Sequence, residues 1–377
     1  MTFSLVSVLM LVGVIQGIFL SVILLDRKRR NFKANRYLAA LIIAMTVRLF
    51  NAFLTRSLPP GGVPVTGRFT LFLIFAFPPL LYFYVRALTE PEFSFHSARW
   101  LHFLPPALAF LYTLPFYYTV VFSPETARSY GQAWPWETTG LNGLAVLQQL
   151  IYAIWILHGI SSYRRRIAEL VSSVERIRLN WILFLLGALV FLALFVSVVV
   201  FYRLGGGRPG PLFAQRDLIY SGVMALVIYA AGYFALNQPE IFSPPLARAA
   251  AKKYEGSSLT PAKAEEHLRL LTALMENDAL YREEDLSLPS LAERLDLPTG
   301  HVSQIINERL GKNFYDFVNG YRVAEACRRL RDPRTRSQKI LTLAFDVGFN
   351  SKAGFNRVFK KHTGLTPSQY RDKPGPA

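Results

Sequence analysis

Cysteine is almost absent from this chain of 377 residues, which contains only Cys327. A single cysteine excludes an intrachain disulfide, and nothing in the sequence points to an oxidising compartment. Cys327 falls in a predicted helix near the carboxyl end, and we interpret it as a thiol that packs between helices.

Charged residues are also scarce. They make up 18% of the chain, against about 25% in an ordinary soluble protein. Hydrophobic residues make up 52%, the mean hydropathy is +0.26, and the apolar excess lies before residue 240. The formal net charge of +17 suits either DNA or an anionic membrane face. The length is enough for two or three domains.

Motifs for catalysis and metal binding are missing. The sequence has no His-Glu-x-x-His, no phosphate loop and no cysteine pair. His96, His102 and His158 are not spaced as metal ligands on a shared helix face. We therefore expect a protein that is not an enzyme and that needs no metal or cofactor.

Long apolar runs dominate the first 240 residues. A bilayer span needs roughly 20 apolar residues, and seven segments qualify: 4–25, 37–55, 69–88, 101–122, 141–161, 181–202 and 218–236. If the loops alternate across a membrane, one side holds sixteen Lys and Arg residues and the other holds six. The positive-inside rule then predicts that the amino terminus is outside and the carboxyl-terminal region is cytoplasmic.

A few polar residues stand in or beside these spans. Arg48 and Asn51 lie three apart on the second span, and an ionisable residue at that depth is a candidate functional site. The alternative is that Arg48 reaches the outer surface or pairs for structure. Trp134 and Trp136, in the outer loop 123–140, are candidates for a lid over a ligand or for interfacial anchors. The candidate ligand residues are thus Arg48, Asn51, Trp134 and Trp136.

Residues 340–371 show the pattern of a short helix, a tight turn and a second helix. The first helix has three apolar residues on its face: Leu341, Ala344 and Phe345. The turn contains Gly348, which tolerates positive φ, and Asn350, which is expected to cap the second helix. The second helix has apolar residues at the i, i+3, i+4 spacing: Phe355, Val358 and Phe359. Amides and cations occupy its opposite face, as a helix in a DNA major groove requires.

A similar unit lies upstream, where residues 291–311 match 343–364 at an offset of 52 that becomes 53 after the turn. Two such units in one chain resemble the DNA-binding domain of the AraC family of bacterial transcription regulators. The most specific motifs are Phe345-Asp346-Val347-Gly348-Phe349-Asn350 and Gly364-Leu365-Thr366-Pro367-Ser368-Gln369-Tyr370-Arg371. The resemblance covers roughly residues 280–372.

The pattern predicts recognition helices at about 299–309 and from 352 onward, joined by a long helix at 314–331. The resemblance places four residues at base edges: Ser303, Gln304, Asn356 and Arg357. By side-chain chemistry Gln suits adenine and Arg suits guanine, whereas Lys360 and Lys361 suit phosphate. The predicted DNA-binding set is Thr299, His301, Ser303, Gln304, Asn307, Lys352, Asn356, Arg357, Lys360 and Lys361. For each of them, the alternative is a solvated helix face.

The fold class we predict is all-α, with a seven-helix transmembrane bundle followed by a soluble AraC-type double helix-turn-helix domain. The predicted limits are 1–237 for the membrane domain, 238–279 for a connector with an amphipathic helix at 260–277, and 280–377 for the DNA-binding domain. The loop 162–180 carries an arginine run that we interpret as a contact with lipid headgroups.

These features predict a regulator in the bacterial cytoplasmic membrane that couples a signal at its membrane domain to promoter binding. The expected partners are double-stranded DNA and the lipid bilayer. A second copy of the chain and an unidentified small-molecule or membrane signal are further candidates. One competing interpretation is a transporter or receptor whose helical tail binds protein, and another is a membrane part that only anchors.

Overall fold

The structure is a computed structural model that describes residues 4–28, 31–57, 70–90, 93–94, 97–123, 135–173, 180–204, 216–236, 259–335 and 337–373. Within these ranges the chain forms helices and, apart from one isolated bridge, no β-structure. The predicted all-α class is confirmed. The chain divides into two compact units, one of Met1–Ile160 with Leu179–Ile241 and one of Ser161–Arg178 with Phe242–Ala377.

The first unit is built from long apolar helices. They are α1 (Leu5–Leu24), α2 (Phe32–Ser57), α3 (Leu71–Thr89), α4 (Leu104–Phe122), α5 (Pro135–Ala168), α6 (Asn180–Leu204) and α7 (Arg216–Leu236). Helix α5 continues past residue 160, so its last turns belong to the second unit.

Six helices of the described residues are long and apolar enough to cross a membrane: α1, α2, α3, α5 from Gly140 onward, α6 from Asn180 to Tyr202, and α7 from Leu218 onward. The remaining predicted segment, 101–122, contains the 19-residue helix α4, preceded by a 3₁₀ helix at Ser97–Phe103. Helix α4 is not among the six, so the count of seven spans stays a prediction.

Small residues allow close packing inside this unit. Helix α2 packs against α1 and α3, and α1 also packs against α7. A Cβ atom added to Gly13 of α1 would lie 2.6 Å from a methyl of Leu49 on α2, and one added to Gly17 would overlap the Thr46 hydroxyl. Glycines four residues apart on one helix face let two backbones approach closely, as in many membrane helix pairs.

The outward faces of the first unit are apolar, whereas several polar side chains are buried. Leu5, Phe19 and Phe201 are 74%, 63% and 75% exposed, while Ser21 and Thr46 are buried. Both hydroxyls donate to the carbonyl four residues earlier in their own helix, which satisfies them without water. Large exposed apolar faces of this kind suit an apolar surrounding rather than water.

The second unit contains the shorter helices. They are α8 (Pro261–Glu276), α9 (Leu288–Arg294), α10 (Thr299–Gln304), a π-turn (Ile305–Arg309), α11 (Phe314–Arg331), α12 (Ile340–Asp346), α13 (Lys352–Thr363) and α14 (Pro367–Asp372), with a 3₁₀ turn at Leu280–Arg282. The two helix-turn-helix units are α9 with α10 and α12 with α13.

Several local expectations about the ends of these helices are confirmed. Asn313 caps α11 by accepting a hydrogen bond from the Asp316 amide, and α11 ends at Arg331 with Asp332 as its C-cap. Gly364 adopts φ 74° after α13, and Thr366 forms a capping box with Gln369 at the start of α14. Each residue supplies the conformation or acceptor that a helix end needs.

Two expectations about the second helix-turn-helix unit were wrong. Leu341 and Phe345 are 45% and 42% exposed, and the buried residues of this segment are instead Leu343, Ala344 and Val347. The seven-residue helix turns Leu343 and Val347, one turn apart, toward α11. The cap of α13 is Ser351, whose hydroxyl accepts the Gly354 amide at 3.1 Å, and not Asn350.

Candidate DNA interface

Helix α13 has one buried and one polar face. Its buried residues, which pack on α11 and α12, are Gly354, Phe355, Val358 and Phe359. On the opposite side Lys352, Arg357 and Lys360 are exposed, and Asn356 is half-buried beside them. The three cations therefore lie on the exposed face, as predicted, whereas Asn356 lies at its edge and has a buried Oδ1 atom with no hydrogen-bond partner among the described residues.

The first recognition element covers the predicted residues 299–309 but changes helix type within them. Helix α10 ends at Gln304, and a π-turn continues it to Arg309. This wider turn exposes Asn307, Glu308 and Arg309 in succession. Thr299, His301 and Gln304 are half-buried on the accessible side.

Ser303 is misplaced in the sequence-based set, because it was expected to face outward and is only 5% exposed. The buried arc of this element runs through Val302, Ile305 and Ile306, and it is wide enough to include Ser303. The hydroxyl accepts a hydrogen bond from Nδ2 of Asn307 at 3.2 Å. In this conformation Ser303 therefore orients Asn307 instead of facing a base edge.

Two polar residues of this interface, Gln304 and Lys361, already contact an acidic side chain. Nε2 of Gln304 donates to Glu308 at 3.0 Å. Lys361 pairs with Asp316 of α11 at 2.7 Å, whereas Lys360 has no ion pair among the described residues. The two lysines are neighbours in sequence, but among the described residues only Lys361 forms an ion pair.

The two recognition elements differ in charge. The first carries Glu308 and Arg309, which offset each other, whereas α13 carries a cluster of cations. Burial lowers the pKa of His362, Asp316 acts in the opposite direction and Lys361 adds to the lowering. His362 is therefore neutral at neutral pH, and the positive charge of this face comes from lysine and arginine.

Helix α11 carries a buried arginine, Arg322, that contacts both the segment before α9 and the second helix-turn-helix unit. Residues four apart on this helix are all buried: Phe314, Val318, Arg322, Ala326 and Leu330. The side chain of Arg322 donates to the carbonyls of Tyr281 and Glu283, both at 2.7 Å. Its guanidinium also lies 5.5 Å from the centre of the Phe349 ring in the second turn. One buried cation thus contacts both the segment 280–287 that precedes α9 and the second helix-turn-helix unit.

Glu325 anchors a second set of arginines on the same helix. Burial raises the pKa of Glu325, but hydrogen bonds from Arg329 and Arg328 outweigh this, so the pKa lies below its ordinary value. Arg282 of the 3₁₀ turn also donates to this carboxylate at 3.0 Å. The ionised carboxylate therefore binds the 3₁₀ turn at Leu280–Arg282 to α11 at neutral pH.

The turn between α12 and α13 packs directly on the 3₁₀ turn at Leu280–Arg282. Gly348 has φ 95°, and a Cβ atom added there would lie 2.5 Å from the Tyr281 carbonyl oxygen. Glycine is required at this position by conformation and by space. Sequence reasoning found Gly348 but missed its contact, and it missed Arg322 although a charged residue in an i, i+4 apolar series was a visible signal.

The membrane-unit candidates divide into two groups. Arg48 and Asn51 line one cavity of about 490 Å³ in the first unit. Trp134 and the side chain of Trp136 lie outside the described residues. No group of three or more His, Cys, Asp or Glu residues is arranged as a metal site in the part of the chain that the structure describes.

Comparison with known proteins identifies the C-terminal region. The family model described as "Helix-turn-helix domain" matches residues 291–373. The probable transcription factor PqrA of Proteus vulgaris is 30% identical over 93 residues, which are 25% of this chain and 74% of that protein. An uncharacterised HTH-type transcriptional regulator of Staphylococcus aureus (strain COL) is 38% identical over 96 residues.

The matched stretch spans only 12% of the staphylococcal protein and 25% of this chain. No solved structure matches. The matched residues begin within α9 and continue into α14, so they include both helix-turn-helix units. Through this C-terminal domain the chain belongs to the DNA-binding helix-turn-helix transcription regulators of the AraC type.

Proposed function

We propose that this protein is a membrane-anchored, sequence-specific transcription regulator that couples a signal at its membrane unit to promoter binding. The observation that carries the DNA-binding part is the polar face of α13, opposite a fully buried apolar face. The six long apolar helices with apolar outward surfaces support the membrane part.

In the proposed topology α4 also crosses the membrane, which brings the number of spans to seven. An odd number of spans puts the two ends of the chain on opposite sides of the membrane, and in the proposed orientation the amino terminus is outside and the DNA-binding domain is in the cytoplasm, where it reaches the chromosome. The sixteen-to-six distribution of Lys and Arg supports this orientation. Fusing a reporter enzyme to the carboxyl end tests it, because a periplasmic carboxyl end contradicts the proposal.

The proposed role of each side chain, in reading a base edge or in binding phosphate, follows from its charge and chemistry. Gln304 and Asn307 of the first unit, with Asn356 and Arg357 of the second, would read base edges, with Thr299 and His301 beside the first pair. Lys352 and Lys360 would hold phosphate, and Lys361 would do so only by leaving Asp316. The domain limits 1–237, 238–279 and 280–377 and a dimeric state are further parts of this proposal.

The test is footprinting of the full chain in lipid nanodiscs on genomic DNA, followed by mobility-shift titrations of the recovered site. We expect a specific complex whose affinity falls steeply with salt. A transporter or receptor whose tail binds only protein would give no specific footprint, and that result would refute the DNA-binding role.

A further inference from the structure

Two donors in the membrane unit, the half-buried Arg48 and the buried Gln149, line cavities without an anionic partner among the described residues. The Arg48 guanidinium donates to the Tyr220 hydroxyl and to the Thr70 carbonyl, both at 2.9 Å, and these acceptors are neutral. None of the described carboxylates forms an ion pair with Arg48. A cation among apolar helices is costly unless an anion compensates it.

Gln149 provides the second donor. Its side chain is 5% exposed, and its amide nitrogen has no hydrogen-bond partner among the described residues. A second, smaller cavity is lined by Gln149, Arg48 and Tyr220 together. Arg48 and Tyr220 also line the larger cavity, so the two cavities share these walls.

The rest of the larger cavity is lined by six apolar residues, three residues with amide or hydroxyl side chains, and a second arginine, Arg56. Phe195, Val196, Val199 and Met10 contribute to its wall, and its volume of about 490 Å³ is in the range of small-molecule sites, about 300–1,000 Å³. Because the charged groups of this cavity are both arginines and much of its wall is apolar, we propose that this site binds an amphiphile with an anionic carboxylate or phosphate head. This inference names the signal class within the proposed function and depends on its membrane unit.

The test uses the full chain in phosphatidylcholine nanodiscs, with binding measured by titration calorimetry. The probes are dodecanoate and dodecyl phosphate, with dodecanol as the uncharged control and inorganic phosphate as the head alone. We expect the two anionic amphiphiles to bind and both controls to fail. Equal binding of dodecanol, or binding of inorganic phosphate as tight as that of dodecyl phosphate, overturns the proposal.

Variants locate the site. Arg48→Gln should weaken dodecanoate binding about 30-fold or more, as truncation of one partner of a buried charge pair does. Arg36→Gln, an exposed position on the same helix, should leave it unchanged. Discs with added phosphatidylglycerol test whether the bound amphiphile is a lipid of the bilayer. If it is, native mass spectrometry should show phosphatidylglycerol bound to the unaltered chain and not to Arg48→Gln. Unchanged binding by Arg48→Gln refutes the assignment, and no outcome bears on DNA binding.

A second observation concerns the segment after α5, which lies within the second unit. Val171 and Ser287 form an antiparallel bridge, flanked by hydrogen bonds from the Ser172 amide to the Leu286 carbonyl and from the Leu288 amide to the Leu170 carbonyl. The bonds measure 3.1 and 2.8 Å. Residues 170–173 therefore dock on the strand-like entry to α9.

This docked segment also closes over Arg322. The Ser172 hydroxyl accepts from the Arg322 guanidinium at 3.1 Å, and the Ser172 carbonyl accepts from Asn319 at 3.1 Å. Ser172, Asn319 and Arg322 are all buried, at 1%, 0% and 0% exposure. Arg322, which contacts both Tyr281 and Phe349, thus also donates hydrogen bonds to the segment 170–173, which follows a predicted span in the sequence.

We infer that residues 170–173 form a latch whose docked state fixes the two helix-turn-helix units in their DNA-binding arrangement. Its hydrogen bonds go to residues 284–288, at the entry to α9, and to α11 and not to the recognition faces, so docking and DNA binding are compatible. Since helix α5 leads directly into the latch, a change in that helix would alter DNA affinity through Arg322. This transmission rests on the proposed membrane anchoring.

A disulfide across the bridge tests the latch. Val171 and Ser287 are a non-hydrogen-bonded pair, whose Cα atoms lie about 4.5 Å apart, within the range of roughly 4.4–6.8 Å that a disulfide spans. The protein is Val171→Cys/Ser287→Cys in a Cys327→Ser background, with Cys327→Ser alone as the control. In nanodiscs the oxidised form should bind the footprinted site about fivefold or more tighter than the reduced form. Equal affinities, or a pair that does not oxidise, overturn the inference.

Hydrogen exchange gives a readout that needs no substitution. In the unaltered full chain the Ser172 and Leu288 amides should be protected, and DNA should increase that protection by reciprocal coupling. Fast exchange of both amides would refute docking even if no DNA site were known. If no specific DNA complex forms at all, the proposed function fails instead, and the protection of these amides still reports on the latch.

Discussion

The strongest test of the DNA interface compares two adjacent lysines of α13. Lys360 is exposed without an ion pair among the described residues, whereas Lys361 is held by Asp316 at 2.7 Å. A cation that neutralises one phosphate contributes about −0.9 to the slope of log affinity against log salt. Lys361 must first leave Asp316, so the two substitutions to glutamine should have different effects.

The magnitude is set by the exposed cations of α13. Arg357 is assigned to a base edge, so if Lys352 and Lys360 each neutralise one phosphate, raising salt fourfold weakens binding about 12-fold, and Lys360→Gln reduces this to about 3.5-fold. Lys361→Gln should change the slope by less than half as much. The assay is a shift titration of the full chain in nanodiscs on the footprinted site between about 50 and 200 mM salt.

Two outcomes would refute this reasoning. One is an equal loss of slope for both lysine variants, which would mean that Asp316 does not restrain Lys361. The other is an unchanged slope for Lys360→Gln, which would place α13 away from the phosphate backbone.

Three further predictions concern the second unit. Gly348→Ala should destabilise it by about 1–3 kcal/mol, because φ 95° and the Tyr281 carbonyl both exclude a methyl group, whereas Gly320→Ala, in an open helix position, should stabilise it by about 0.5–1 kcal/mol; hydrogen exchange of α11 amides measures both. Glu325→Gln should lower stability near neutral pH. A depressed pKa adds stability above the ordinary value of 4.5, and this is lost as pH falls through the folded value, so the difference from the unaltered chain should vanish in acid. Gln304→Ala should cost about 1–3 kcal/mol at one base position and leave the salt slope unchanged, and an altered slope would assign it to phosphate.

Local rules predicted several helix ends and the buried face of α13. Asn313, Gly364 and Thr366 act within a few residues of themselves, so their roles are set by local chemistry. The apolar spacing of α13 likewise predicted its polar face. Leu341 and Phe345 were misjudged, because a seven-residue helix has too few turns for spacing alone to show which apolar residues meet the core.

The sequence by itself determined that the chain is helical, that apolar helices come first, and that a double helix-turn-helix domain comes after them. These properties depend on composition and on periodicity along the chain. Only the tertiary structure decided that Ser303 is buried, that Lys361 is paired, and that residues 170–173 close over Arg322. Those contacts join residues that are 45 to 150 positions apart or depend on the width of a buried arc, and no local pattern encodes which distant partner a side chain meets.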